Sequence, residues 1–269
     1  MRCKPEFLSY HLGARVRAFS TLRTGGCSTG PYASFNVNAW CGDDENSVRR
    51  NREALCDELG IADERLIVPH QIHGDRVVRV DESFFAQDTS VGHALLEGAD
   101  AVTTDCSRTC VAVSTADCIP VLLCDEARHA VAAVHAGWRG TVLRIAETVL
   151  ESMHTAYGTK PEEVTAVIGP GISIAAFEVG DEVCDAFAAA GFDMNKISRR
   201  FPAASAPAEE KWHIDLWEAN RLSLLHAGML PQRIHLAGIC TYTHSGRFFS
   251  ARRAGIRSGR ILNGILFID

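Results

Sequence analysis

The sequence predicts an α/β protein with mixed sheets in one domain, residues 1–269. Three observations lead there. Strand-like runs rich in Val and Ile, punctuated by Gly, Asp and Pro, outnumber helical stretches about two to one, which fits a regular βαβ alternation poorly. Apolar residues make up 46% and charged residues 22% of the chain, as in folded globular domains and unlike disordered or fibrous chains. No internal repeat, low-complexity tract or charged linker divides it.

In chain order, Glu45–Leu59 is a helical candidate, followed by strands over 66–69, 76–80, 101–104, 109–114, 120–124 and 130–135. A long helix is expected over 140–157, with Val142, Ile145, Ala146, Val149, Leu150 and Met153 on one face and Gly158 and Pro161 as stops. A strand over 164–168 and a helix over 180–190 come next, then the loop PAASAP at 202–207. Asp215 followed by Glu218 reads as a capping box opening a helix that ends at Gly228. Strands over 234–237, 248–251 and 261–268 complete the chain.

A formal charge of −6 and a pI near 6.0 argue against binding nucleic acid or anionic lipid. No run reaches the roughly 18 apolar residues of a membrane span. The opening MRCKPEFLSYHLGARVR lacks the apolar stretch of a secretory signal, so the expectation is a cytoplasmic protein with reduced thiols. Most of the ten Cys then read as small hydrophobes, as Cys110 and Cys124 do in their apolar runs. Cys27, Cys41 and Cys118 stand apart because each sits in turn chemistry.

Three segments place metal-capable or nucleophilic side chains where strands end: His70-Gln71-Ile72-His73-Gly74, Ala116-Asp117-Cys118-Ile119-Pro120 and His135-Ala136-Gly137-Trp138-Arg139. Rigid strands hold such residues while the loops leave room for a ligand. Together His73, Cys118 and His135 offer two imidazoles and a thiolate, a set suited to zinc. Their separations of 45 and 17 residues lack the close pairing of structural zinc sites. Three ligands drawn from distant strand ends leave a fourth position open, as catalytic sites do. Spacing alone admits three readings: this metal centre, structural histidines beside a buried Cys, or a Cys–His nucleophilic pair.

The chain resembles the bacterial YfiH family, also known as the laccase-domain, polyphenol oxidase or purine nucleoside phosphorylase family. The resemblance runs nearly end to end, through FSTLRTGGCSTGPYASFNVNAWCGDD, HQIHGDRVV, GADAVTT, TADCIPVLLCD, AAVHAGWRGT, IGPGISIAAFEVGDEV, CTYTHSGRFFSARR and the final SGR. It implies mixed sheets between helical layers and one zinc ion held by His73, Cys118 and His135. It also implies phosphorolysis of adenosine, inosine, guanosine and methylthioadenosine, with adenosine deamination. Two places depart from the pattern. Asn38-Ala39-Trp40 replaces Gly, a variable residue and His, and Ala254 stands where Asp is common.

The deamination that the resemblance implies requires a proton carrier, with Asp117 the first candidate and Asp100 the second; either carboxylate serves equally well as a turn cap. Phosphorolysis requires an anion site, for which Arg23 in LRTGG and Arg139 in GWRG are expected, the alternative being surface or salt-bridged arginines. Trp138 and Phe177 are candidates to stack on a purine, or else core aromatics. The expected partners are small nucleosides and phosphate, acting on a monomer or homodimer. A cysteine hydrolase using Cys118 and His135, or a factor editing cell-wall precursors, is the alternative activity. Copper is the alternative metal, but the eleven His include no H-x-H pair of the kind multicopper oxidases use.

Overall fold

The computed structural model describes residues 3–203 and 208–268, so residues 204–207 of the PAASAP segment lie outside the described residues. Two mixed sheets stack face to face at the centre. One has six strands in the order Ile234–Leu236, Thr165–Ile168, Ile119–Asp125, Ala130–Ala136, Ala101–Thr104 and Val77–Val80. Its outermost pair on each side is parallel and its inner pairs are antiparallel. The other has five strands in the order Phe7–Tyr10, Val16–Thr21, Ile261–Phe267, Cys110–Thr115 and Leu66–Ile67, with only the last pair parallel.

Alternation along the strands builds the layers. Val121 and Leu123 face Ile145, Val149 and Met153 of helix Ile145–Tyr157 and Leu224 of helix Leu216–His226. Leu122 and Cys124 face the opposite way, onto Val111, Val113, Ile265 and Phe267 of the five-stranded sheet. The far side of that sheet, through Phe19, Ala112 and Leu266, covers Leu55 and Leu59 of helix Glu45–Leu59. The result is helix, sheet, sheet, helix, the layering expected. Both faces of the central strands are buried, which is why their sequences read as unbroken apolar runs. Each fully buried Leu or Val contributes about 1.5–3 kcal/mol.

Helix Glu45–Leu59 has the expected bounds, but the long helix divides into Trp138–Val142 and Ile145–Tyr157. Arg144 between them is left-handed at φ 59°, with its guanidinium bonded to Glu147 and the Ala190 carbonyl and lying over the Phe192 ring. Tertiary contact to the 190–192 turn thus overrides the helical period. Asp215 caps its helix by accepting from the Glu218 amide, whereas the Glu218 carboxylate turns to Arg221, so half of the capping box forms. Residues 248–251 are no strand: Phe248 and Phe249 pack with Leu22, Ala116 and Ile261, and Ser250 caps the short helix Ala251–Ala254. A small antiparallel sheet of Glu178–Val179, Glu210–Ile214 and Ser198–Pro202, and the strands Phe7–Tyr10 and Val16–Thr21, lack a clear sequence signal because polar residues interrupt their apolar positions.

Candidate metal centre and cleft

His135 lies at the end of a strand in the six-stranded sheet, Cys118 just before the neighbouring strand, and His73 in the loop leading to Val77–Val80. Their candidate ligand atoms all lie within 4.8 Å of one another. His135 is buried, Cys118 partly so, and His73 is exposed. The two imidazole rings meet edge to face, 4.8 Å between centroids.

Asp100, wholly buried, organises both histidines. Its Oδ1 accepts from His135 Nδ1 at 2.7 Å and from the His73 amide at 2.9 Å, while Oδ2 accepts from the amides of Gly74 at 2.7 Å and Ile72 at 3.2 Å. The loop can therefore hold His73 at φ 67°, a backbone conformation few non-glycine residues adopt. With Nδ1 committed to Asp100, His135 presents Nε2 to the centre, the carboxylate–histidine arrangement that orients metal-bound imidazoles. Burial raises the Asp100 carboxyl, but the His135 hydrogen bond and charge and the loop amides outweigh it, leaving a net lowering.

The thiol of Cys118 behaves likewise. Burial works against the thiolate, yet the charge and hydrogen bond of His135, then those of His73, draw the pKa down to about 6. His135 is raised to about 9, since the Cys118 charge and the Asp100 hydrogen bond outweigh burial. Gly137 completes the cradle: a Cβ there would stand 3.0 Å from His73 Cδ2 and 3.1 Å from Cys118 Sγ. Two imidazole nitrogens, one of them on the Asp100-anchored His135, and a stabilised thiolate fit a borderline-soft divalent metal such as zinc.

The triad opens into a cleft of about 1060 Å³, whose walls include Trp138, Phe177, Trp40, Arg252 and Arg257. Trp40, at a position departing from the family pattern, is half exposed and stacks on His70 with centroids 5.0 Å apart. Ala254 is exposed on the short helix Ala251–Ala254.

Asp117 lies beside the triad, but its carboxylate points away to the opposite wall. It accepts from Thr241 Oγ1 at 2.6 Å, Ser250 Oγ at 3.0 Å and the Arg252 amide at 2.7 Å. That arrangement makes Asp117 a brace and leaves it poorly placed to carry protons, as Asp100 is with its four donors. The two expected anion-binding arginines do not line the cleft. Arg23 donates to the carbonyls of Ala33 and Ser245 and lies over Phe249, and Arg139 is exposed over the Trp138 ring. Arg252, Arg257 and Arg260 line it instead. The signal for them was the basic run ARRAGIRSGR, which joins the resembling segments ending in SARR and SGR and sets Arg257 between Gly255 and Gly259.

A fold of two mixed sheets between helices, holding a His–Cys–His centre in an open cleft, defines a laccase-domain protein. The model described as multi-copper polyphenol oxidoreductase laccase matches residues 17–268, and the chain belongs to this YfiH family. A Bacteroides thetaiotaomicron relative named purine nucleoside phosphorylase is 45% identical over 94% of this chain and 92% of its own length. Another, named adenosine deaminase RL5, from an unknown prokaryotic organism, is 42% identical over 93% of each. Among solved structures, YlmD from Geobacillus stearothermophilus superimposes with a TM-score of 0.83 at 32% identity, covering 95% of this chain and 93% of that one. Among the described residues no helix is long and apolar enough to cross a membrane.

Proposed function

We propose that this protein is a zinc-dependent purine nucleoside phosphorylase that also deaminates adenosine. It would cleave adenosine, inosine, guanosine and methylthioadenosine with phosphate, as a cytoplasmic monomer or homodimer built from one domain. The observation that carries the reading is the juxtaposition, in one cleft, of a metal-competent triad, exposed arginines and aromatic walls. The names of its relatives point to the same chemistry.

In this reading His73, Cys118 and His135 hold the metal, which would supply Lewis acidity and lower the pKa of a bound water from about 15.7 to about 7. Asp100 fixes the His135 tautomer and the His73 loop. Phe177 and Trp138 offer apolar faces to a purine. Arg257, exposed on the wall, and Arg252, whose Nη1 donates to the Glu178 carbonyl while its guanidinium lies over Phe177, supply positive charge for phosphate. Arg260 spends its donors on the carbonyls of Ile256, Ser258 and Gly259 and shapes that loop.

The thiolate–imidazolium character of Cys118 and His135 also suits a cysteine hydrolase. One experiment separates the two: metal quantification beside a nucleoside panel with and without phosphate. The phosphorylase reading expects one zinc per chain and phosphate-dependent release of free base, both lost in Cys118→Ala while the fold persists. Full turnover by Cys118→Ala would refute it, and a metal-free protein active as a hydrolase would favour the alternative.

A further inference from the structure

A purine leaves C1′ poorly as an anion, so a phosphorylase gains from a group that delivers a proton to the departing base. The cleft offers few. Asp117 is bound by three donors on the far wall, Asp100 lies buried behind the triad under four, and the Tyr32 hydroxyl donates to the Cys41 carbonyl. Burial raises the Cys41 thiol. Among the described residues His70 is the only cleft-lining histidine outside the triad.

His70 is held as proton carriers usually are. Its Nδ1–H donates to Glu97 Oε1 at 2.7 Å, leaving Nε2 uncommitted to that partner. Its backbone forms an isolated β-bridge with Glu97, just past the helix Thr89–Leu96, through His70 N to the Leu96 carbonyl and Gly98 N to the His70 carbonyl. Its ring lies flat on Trp40, 20° from parallel. Carboxylate, backbone and indole thus fix the imidazole, while its side chain keeps 35% exposure at the cleft wall.

We infer that His70, oriented by Glu97 and Trp40, is the acid that protonates the departing purine. The inference rests on the phosphorylase reading. In the step, a phosphate oxygen bonds to C1′ as the C1′–N9 bond breaks, its electron pair passing into the base. The imidazolium proton of His70 goes to the base, and the neutral imidazole regains a proton from the monoprotonated ribose 1-phosphate through solvent. Glu97 is a positioning residue that holds the ring through its Nδ1.

The test compares wild type, His70→Gln and Glu97→Gln on inosine and on N7-methylguanosine, whose cationic base leaves without needing a proton. Metal content and circular dichroism report the fold. His70→Gln is expected to lower kcat on inosine about 100- to 1,000-fold while KM and metal content stay near wild type. N7-methylguanosine turnover should fall less than about threefold, since that base needs no acid. Glu97→Gln should lower inosine kcat about tenfold, as loss of an orienting carboxylate does. Equal losses on both substrates, or an unchanged inosine kcat in His70→Gln, would overturn the assignment while leaving the phosphorylase reading standing. A wild type inactive on both substrates overturns the two together.

Discussion

At the scale of single residues, the candidate site is a set of opposing charges placed around a gap. In metal-free protein the thiolate of Cys118 should form as pH rises through about 6, well below an ordinary thiol, and an ultraviolet titration of thiolate absorbance would show it. Cys56 and Cys124, pushed up to about 12 by burial, should stay silent over that range. The signs have a further consequence. The lowered thiol adds stability that is lost as pH falls through about 6, and the raised His135 adds stability that is lost as pH rises through about 9. Between those values the two slopes oppose and largely cancel, so metal-free stability should be nearly flat. Metal affinity should not be flat, because binding must displace the His135 proton: it should rise about tenfold per pH unit from neutrality toward pH 9, as competition titrations would measure. Gly137→Ala should weaken binding about 10- to 100-fold, because its Cβ would enter the space between His73 and Cys118.

Among elements, the ends of strands were legible and the segments crossing over them were not. The Ile119–Asp125 and Ala130–Ala136 strands announce themselves through apolar runs, and with them came Cys118 and His135. The wall carrying Arg252 and Arg257 stayed hidden because its only apolar pair, Phe248 and Phe249, packs into a satellite cluster instead of a strand ladder. What holds that wall is Asp117, at φ 91°, with Thr241, Ser250 and the Arg252 amide on its carboxylate. Asp117→Ala should strip three buried or half-buried donors of their acceptor and cost about 2–4 kcal/mol. Faster tryptic cleavage after Arg252, Arg253 and Arg257 would report the loosening. Asp117→Asn, which keeps an acceptor for the Arg252 amide, should recover much of the protection.

At the scale of the whole molecule, the candidate ligands converge because His135, Cys118 and His73 lie on or just before Ala130–Ala136, Ile119–Asp125 and Val77–Val80, strands of the six-stranded sheet, which stacks on the five-stranded one. Leu122 lies between the two sheets, and Leu122→Ala should cost about 2–5 kcal/mol in denaturant unfolding, with metal affinity unchanged in the protein that remains folded. The sequence by itself determined the α/β class, most strands, the helix Glu45–Leu59 and, through motifs resembling the YfiH family, the His73, Cys118 and His135 set. These follow from local periodicity and from short motifs that survive without knowledge of neighbours. Only the tertiary structure decided that Asp100 serves both histidines, that Asp117 braces the opposite wall, that Arg23 and Arg139 point elsewhere, and that Arg252, Arg257 and the Trp40–His70 stack face the cleft. The physical reason is that a side chain's role depends on which donors and charges surround it. Those neighbours come from strands and loops far apart in the chain, as with Asp100 and His135 or Asp117 and Arg252, and no window along the sequence contains both partners.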